Sequence, residues 1–241
     1  WTGDVALYDV PSRERLRVLR PPPPLVSGYA SPGSTRIAFF NNDRQIAVAR
    51  DFRVLILDAL TGRLEKTLDF SEGRLLAAAA APDAQRFAVA YWTVGVQPWS
   101  SRVSLFDVDS WEEVAHIEYS GAPLPSLEIG GDATLISAGM LNGMIHHWKP
   151  GDDGAHQPIN GHAASVVDIG FLPEEGQYVT AGADKVIKVW SLSETEPVAV
   201  LDRLDPSHPD QPVQIAASAC SPSGAFVASV HVDGTLRVRN A

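Results

Sequence analysis

Residues 178–190 read YVTAGADKVIKVW, and the fold is decided by how this stretch ends and by how often that ending recurs. Its last part, Val186–Trp190, is an aliphatic and β-branched run that closes on a large residue and is followed by Ser191. Residues of this kind favour strands. Five more such runs occur along the chain, at Val5–Tyr8, Val54–Leu57, Val103–Phe106, Met144–Trp148 and Leu236–Arg239. Their last positions are 49, 49, 42, 42 and 49 residues apart, which indicates an internal repeat.

Turn residues and further short apolar segments flank each run. A turn such as Leu60-Thr61-Gly62 follows the run, and a strand-like segment such as Leu64–Leu68 comes next. Another turn, such as Ser221-Pro222-Ser223-Gly224, lies in the hairpin that precedes the run. Gly, Pro, Asn and Asp supply the turn geometry at these places. Four strands in each unit of 42 to 49 residues, with no helical periodicity, predict an all-β propeller built of four-stranded antiparallel blades.

Counting strands predicts a single β-propeller domain over residues 1–241. Part of a blade occupies 1–20, whole blades lie at about 35–68, 74–117, 124–159 and 165–201, and a partial last blade lies at 213–241. The total of 21 strands is smaller than a seven-bladed ring requires, so we expect an incomplete arc of such a ring. Because the chain starts at Trp1, we also expect a fragment or a processed chain. A self-closed ring of five or six blades is the alternative.

The stretch from Asn160 to Ser191 resembles the WD-repeat signature. Gly161-His162 precedes an apolar strand, and Trp190 stands near the end. The resemblance implies a hydrogen-bonded chain inside the blade, formed by His162, Thr180, Asp184 and Trp190. Such a chain makes physical sense because a buried carboxylate needs donors, which imidazole and indole N–H groups can supply.

The other repeats keep only parts of this pattern. Asp51, Asn142 and Asp233 stand six residues before the ends of their runs, as Asp184 does. Leu57, Phe106 and Arg239 replace the tryptophan. The degenerate, proline-rich repeats look like those of bacterial WD-repeat proteins, which are commonly fused to signalling kinases, ATPase switches or protease-like domains. This resemblance implies that the parent chain carries further N-terminal domains.

Charge, cysteine content and histidine positions argue against several classes of site. The formal net charge is −10, whereas nucleic-acid binding rests on clustered Lys and Arg. No window holds the ~18 unbroken apolar residues of a membrane span. Cys220 is the only cysteine, which excludes a disulfide framework, and its small neighbours predict an inert buried thiol. His146 and His147 are adjacent on a predicted strand, so they point to opposite faces and cannot share an ion. We expect no cofactor, metal ion, nucleic acid or membrane partner.

The predicted binding face is formed by loops on one side of the propeller. In a four-stranded meander, the loops after the second and fourth strands emerge on the same face. The long insertions, at Pro21–Ser34, Trp92–Ser101 and Asp202–Pro212, fall on these loops, and turns on the opposite face are predicted to be short. Large aromatic and apolar residues anchor protein interfaces. The candidates for contact with a partner are Trp92, Trp99, Phe52, Tyr29, Met140 and Leu141.

These observations favour a protein-interaction scaffold or sensor module that binds a protein or peptide. No Gly-rich phosphate loop, nucleophile elbow or zinc-protease motif occurs in the sequence, so we predict no enzymatic activity. A propeller hydrolase or lyase with its site in the central channel is the alternative, and a purely structural subunit is a third hypothesis. A channel lined with Ala, Ser and Val would argue against the enzyme. The acidic balance and the single cysteine suit the cytoplasm, and the periplasm stays open.

Overall fold

The structure is a computed structural model, and it describes most of the chain in fifteen segments. These are residues 5–9, 11–19, 36–40, 44–50, 52–71, 73–81, 85–93, 100–121, 123–130, 135–139, 142–151, 158–172, 176–202, 215–221 and 223–240. Within these segments every regular element is a β-strand, and no helix is long and apolar enough to cross a membrane.

Twenty-one strands form six antiparallel sheets within the described segments. The first sheet contains β1 (Val5–Tyr8) and β2 (Arg15–Leu19). Blade 1 contains β3 (Arg36–Phe40), β4 (Gln45–Arg50), β5 (Arg53–Asp58) and β6 (Leu64–Asp69). Blade 2 contains β7 (Gly73–Ala80), β8 (Arg86–Thr93), β9 (Ser100–Asp107) and β10 (Glu113–Ser120).

The second half of the chain continues the same order. Blade 3 contains β11 (Ser126–Ile129), β12 (Leu135–Ala138), β13 (Met144–Trp148) and β14 (Ile159–Asn160). Blade 4 contains β15 (Val166–Phe171), β16 (Gln177–Gly182), β17 (Ile187–Ser191) and β18 (Ala199–Asp202). The last sheet contains β19 (Ile215–Cys220), β20 (Phe226–His231) and β21 (Leu236–Asn240). Each sheet is a meander in which consecutive strands pair, so the predicted propeller of four-stranded antiparallel blades is confirmed.

A separate apolar cluster fills each junction between consecutive sheets. Val5 and Leu19 of the first sheet pack against Ile46 and Val48 of blade 1. A similar cluster lies at every later junction, and the last one joins Val189 of blade 4 to the last sheet. The second and third strands are buried on both faces where a sheet has a neighbour on each side, as in β8 and β16. The first strands of consecutive sheets lie side by side, with β11 against β7 and β15, and β15 against β19. These strands line the axis of the propeller.

One turn recurs between the third and fourth strands of the early sheets. Asp58 accepts a hydrogen bond from the Thr61 N–H at 2.6 Å, and Asp9 and Asp107 accept equivalent bonds from Ser12 and Ser110. These bonds lower the pKa of all three carboxyl groups. The fifth residue of each turn takes a positive φ, at 60° in Arg13, 73° in Gly62 and 57° in Trp111. The turn therefore depends on the aspartate, since two of the three turns have no glycine at the left-handed position.

The predicted shortness of the opposite-face turns is wrong in blade 3. Strand β13 ends at Trp148 and β14 begins only at Ile159, so ten residues, 149–158, join the third and fourth strands. This connection leaves the sheet on the face opposite to the predicted binding face. The residues Pro150-Gly151-Asp152 are of the kind that predicts a tight turn directly after the run, but the fourth strand, β14, begins only at Ile159.

The last sheet has one buried face and one exposed apolar face. Val227, Ser229 and His231 are buried against blade 4. On the other face Phe226 is 48% exposed and Val238 is 55% exposed, with Val230 and Leu236 exposed beside them. The corresponding strand β16 of blade 4 is covered on both faces because a sheet packs on each side of it. The exposed face is thus of the kind that a neighbouring blade covers elsewhere in this fold.

Candidate functional site

Blade 4 brings together the four residues that were proposed to form a hydrogen-bonded chain. The Nδ1 atom of His162 lies 2.9 Å from Asp184 Oδ1, and its Nε2 atom lies 2.7 Å from Thr180 Oγ1. The Nε1–H group of Trp190 donates to Thr180 Oγ1 at 2.8 Å. Since Thr180 Oγ1 accepts from the indole, its own hydrogen is directed to Nε2, which assigns the remaining imidazole hydrogen to Nδ1 and to the carboxylate. The chain is continuous from β17 to the turn between β16 and β17.

Asp184 stays ionised at the exposed end of this chain. Burial opposes its charge, but hydrogen bonds from His162, Ala163 N–H and Val186 N–H outweigh that effect and lower the pKa of the carboxyl group. His162, Thr180 and Trp190 are all buried. The arrangement ties the segment between blades 3 and 4 to the middle of blade 4. It can hold the blade rigid, but it offers no group to a substrate.

The last sheet keeps only one contact of this kind, between a serine and a histidine that the sequence analysis did not connect. Ser229 and Asp233 are four residues apart, as Thr180 and Asp184 are. The buried His231 stands at the position that corresponds to Gly182, and its Nε2 atom lies 3.1 Å from Ser229 Oγ. The Nδ1 atom of His231 has no hydrogen-bond partner among the described residues, and Asp233 accepts from Thr235 N–H at 2.9 Å instead. The link from imidazole to carboxylate that blade 4 contains is therefore not formed in the last sheet.

Two of the six partner-contact candidates lie in described segments. Trp92 is half-buried near the end of β8, where Thr93 and Ser100 close the base of the following connection by a hydrogen bond of 2.9 Å between Thr93 Oγ1 and Ser100 O. Phe52 is half-buried in the turn between β4 and β5, and its carbonyl accepts from Phe70 N–H at 2.7 Å. Both lie where a second strand leads into a third, hence on one face. Trp99, Tyr29, Met140 and Leu141 lie outside the described residues.

A cavity of about 250 Å³ lies on the axis, between the first strands of blades 2 to 4 and the last sheet. Its walls are mainly Ala, Ser, Pro and Val, with Ala77, Ser126 and Ala217 among them. Two carboxyl groups interrupt this lining, those of Glu128 on β11 and Asp168 on β15. Neither Glu128 nor Asp168 belongs to a motif that the sequence makes visible, because the four strands that meet at the cavity are far apart along the chain.

The two carboxyl groups of the cavity differ in their surroundings. Asp168 Oδ2 accepts from Ser218 N–H at 2.7 Å and lies 3.2 Å from Ser218 Oγ, and its Oδ1 accepts from Ile169 N–H at 3.0 Å. Asp168 thus links β15 to β19. Glu128 has no hydrogen bond or ion pair with any residue in the described segments. Burial, and secondarily the charge of Asp168, raises its pKa to about 8.

Comparison with known proteins identifies a protein family that matches this chain. Residues 109–233, slightly more than half of the chain, match the family described as WDR54, and they include the whole hydrogen-bonded chain of blade 4. The chain belongs to the WDR54 family. The WDR54 match extends from the end of blade 2 to the turn between β20 and β21, so it covers Glu128, Asp168 and the Ser229–His231 contact of the last sheet as well.

Curated relatives agree with the WDR54 assignment. The chain is 28% identical to WD repeat-containing protein SL1-17 of Schistosoma mansoni over 59% of this chain and 44% of that protein. It is 31% identical to a ribosome biogenesis protein WDR12 homolog of Chlamydomonas reinhardtii, over 54% and 30%, and 32% identical to human WD repeat-containing protein 54, over 30% and 21%. The chain therefore spans less than half the length of these relatives. All three are eukaryotic, so they lend no support to a bacterial type of repeat.

The single thiol of this WDR54-family chain is half-buried beside the cavity. Burial, followed by the charges of Asp168 and Glu128, raises the pKa of Cys220 to about 11 from 9.0. Since the thiolate is the nucleophile, we expect iodoacetamide to alkylate Cys220 about 100-fold more slowly at pH 8 than an ordinary cysteine peptide. The chain unfolded in urea is the control and should react at the peptide's rate. Equal rates for the folded and unfolded chains would contradict the prediction.

Proposed function

We propose that this chain is a protein-interaction scaffold whose binding face is formed by the connections after the second and fourth strands of its blades. The observation that carries the proposal is the placement of Trp92, which stands at the rigid base of one such connection, with Phe52 on the same face. An aromatic side chain on a preorganised strand end can bury a large area at small entropic cost. Trp99, Tyr29, Met140 and Leu141 extend this face in the proposal.

The names of the relatives support a partner that is itself a protein. They include a ribosome biogenesis protein and, at 28% identity over 30% of this chain, polyadenylation factor subunit 2 of Candida albicans. A factor with numbered subunits is a protein assembly. We propose a protein or peptide partner for this chain, in the cytoplasm, with neither nucleic acid nor membrane as the primary ligand.

The exposed apolar face of the last sheet supports the proposal of an incomplete arc. Phe226, Val230 and Val238 present apolar surface at the position where blade 4 has a covering sheet. Large exposed apolar patches on a sheet are an aggregation hazard unless something covers them. We propose that further blades of the parent chain cover this face, and that N-terminal domains precede the propeller.

The alternative, a propeller enzyme, depends on the axial cavity alone. A carboxyl group with a raised pKa near an ionised one is an arrangement that acid–base catalysts use. Here, however, Asp168 is engaged by Ser218 and Ile169, and the Cys220 thiol is poorly ionised. The walls are otherwise Ala, Ser, Pro, Leu and Val. Among the described residues of the lining, no nucleophile is paired with a base, and we propose binding rather than catalysis.

The double variant Trp92→Ala/Trp99→Ala is expected to lose the partner and keep the fold. Wild-type and variant chains would be immobilised and exposed to native lysate, and captured proteins would be identified by mass spectrometry. Loss of the aromatic anchors should reduce capture at least 10-fold, because a single hot-spot residue contributes about 2 kcal/mol or more. The melting temperature should fall by no more than a few degrees, since Trp92 is only half-buried.

Leu60→Ala is the matched control. Leu60 is 82% exposed in a turn on the opposite face, and its removal should leave capture unchanged. Capture that is lost with Leu60→Ala but kept by the tryptophan double variant would move the interface to the other face. Equal capture by all three chains would overturn the proposed face.

A further inference from the structure

Glu128 is the one large side chain at its level among the first strands that surround the described cavity. Four residues of the first strands lie at the same level, because each is aligned, across the second strand, with the third-strand residue that comes just before the end of its run. These four residues are Glu128, Ala79, Gly170 and Ala219. Alanine or glycine therefore occupies this level in the three other sheets.

Glu128 is half-buried in the wall of the cavity, and its carboxyl group has no hydrogen-bond or ion-pair partner in the described part of the chain. A carboxylate that is partly withdrawn from water and has no donor is less stable than a fully hydrated one, because its desolvation is only partly compensated. Asp168 does not relieve this cost, since it carries the same charge. A positively charged group in the cavity would relieve it, and would find the ionised Asp168 as a second acceptor.

The walls of the cavity suit an apolar stem that carries such a charge. Ala77, Ala78, Ala216, Ala217 and Pro125 contribute apolar surface, and the volume is far larger than a single water requires. Alkyl stems of lysine and arginine pack along surfaces of this type and leave the charged head among the carboxyl oxygens.

We propose that the axial cavity binds one cationic side chain, a guanidinium or a primary ammonium on an alkyl stem, through Glu128 and Asp168. This inference rests on the proposed function in one respect: the cation belongs to a protein partner. Asp168, which Ser218 holds in place, provides the second carboxyl group of the site. Glu128 is neutral in the empty cavity at pH 7 and ionises when the cation enters.

Binding and proton release are therefore linked. The groups that face Glu128 are Asp168 on β15 and Cys220 on β19, whereas β7 contributes only alanines to the lining. Asp168 accepts hydrogen bonds from Ser218 N–H and Ile169 N–H, and the thiol of Cys220 is neutral below its pKa of about 11. An entering cation lowers the pKa of Glu128, so affinity rises with pH up to about 8, and the bound state holds one proton fewer below that pH.

The test is calorimetric titration with single amino-acid probes. N-acetyl-arginine-N-methylamide and N-acetyl-lysine-N-methylamide carry the cation, and the citrulline analogue is the uncharged match of the arginine probe. At pH 7, in two buffers of different ionisation enthalpy, we expect a cationic probe to bind at least 10-fold more tightly than citrulline and to release close to one proton. Glu128→Gln should bind at least 10-fold more weakly and release none. Glu196→Gln, at an exposed glutamate, is the control and should match the wild type.

Equal affinity for the arginine and citrulline probes, no binding of either cation, or unchanged binding by Glu128→Gln would each overturn the proposal. The probes do not require Trp92, so their binding is independent of partner capture. Probe binding without capture would keep the cationic site and refute the scaffold, and capture without probe binding would do the reverse.

A second measurement on the same variant needs no ligand. The pKa of this carboxyl group is raised by folding from 4.5 to about 8, so its protonated form stabilises the folded chain fully only below pH 4.5. The free energy of unfolding then falls as the pH rises toward 8, because ionisation is less favourable in the folded chain than in the unfolded one. Glu128→Gln should therefore melt several degrees above the wild type at pH 9 and at the same temperature at pH 4.5. Equal melting temperatures at pH 9 would show that Glu128 is not enclosed in the unliganded protein, and would overturn the linkage.

Discussion

Trp190→Ala is expected to lower the free energy of unfolding by about 3–5 kcal/mol, which is the usual cost of truncating a buried tryptophan. The indole is 1% exposed and stacks on Tyr178, with 6.1 Å between ring centroids. It also belongs to the apolar cluster between blades 3 and 4, together with Ile145 and Ile169. Truncation would thus open a cavity between two blades and leave Thr180 Oγ1 without its indole donor.

Urea unfolding of three variants would separate packing from hydrogen bonding. Trp190→Phe keeps most of the apolar contact and loses the N–H group, so we expect about 1–3 kcal/mol. Trp111→Ala is the matched control, because Trp111 is only half-buried and contacts Phe87 outside the hydrogen-bonded chain. It should cost less than Trp190→Ala. A loss below about 0.5 kcal/mol for Trp190→Ala would show that the indole is not a core residue.

Gly182→Ala is expected to destabilise blade 4 by about 2–4 kcal/mol, through overpacking and the loss of a buried hydrogen bond. A Cβ atom at this position would overlap Asp184 Oδ1 and His162 Nδ1, the two atoms that form the pair at the exposed end of the chain. Both partners are held by other bonds, His162 by Thr180 and Asp184 by Ala163 N–H, so they cannot move apart freely.

A double-mutant cycle with His162→Ala tests this cause. Without the imidazole, the added methyl group has room, so Gly182→Ala should cost at least 1 kcal/mol less in the His162→Ala background than in the wild type. Free energies from urea unfolding at pH 7 give the comparison. Additive costs would place the strain elsewhere, in the backbone of β16 rather than against the histidine.

Local patterns predicted the strands well because each strand is encoded by adjacent residues. The run Val186–Trp190 matches strand β17 (Ile187–Ser191) to within one residue at each end, and Leu60-Thr61-Gly62 forms the turn between β5 and β6. The length of the connection 149–158 was predicted wrongly because its first residues have the pattern of a tight turn. The fourth strand of this blade, β14, is only two residues long and begins at Ile159.

The amino-acid sequence by itself determined the all-β repeat and the four-stranded blades, because alternation, turn chemistry and repeat spacing are local properties. The residues of the hydrogen-bonded chain in blade 4 followed from the resemblance of Asn160–Ser191 to the WD-repeat signature. Only the tertiary structure decided that Glu128 and Asp168 share a cavity and that Glu128 has no donor among the described residues. That outcome depends on which strands surround the axis, since β11 and β15 are brought side by side only by the fold. Burial and the charge of a distant residue set a pKa, and neither is encoded next to the residue that titrates.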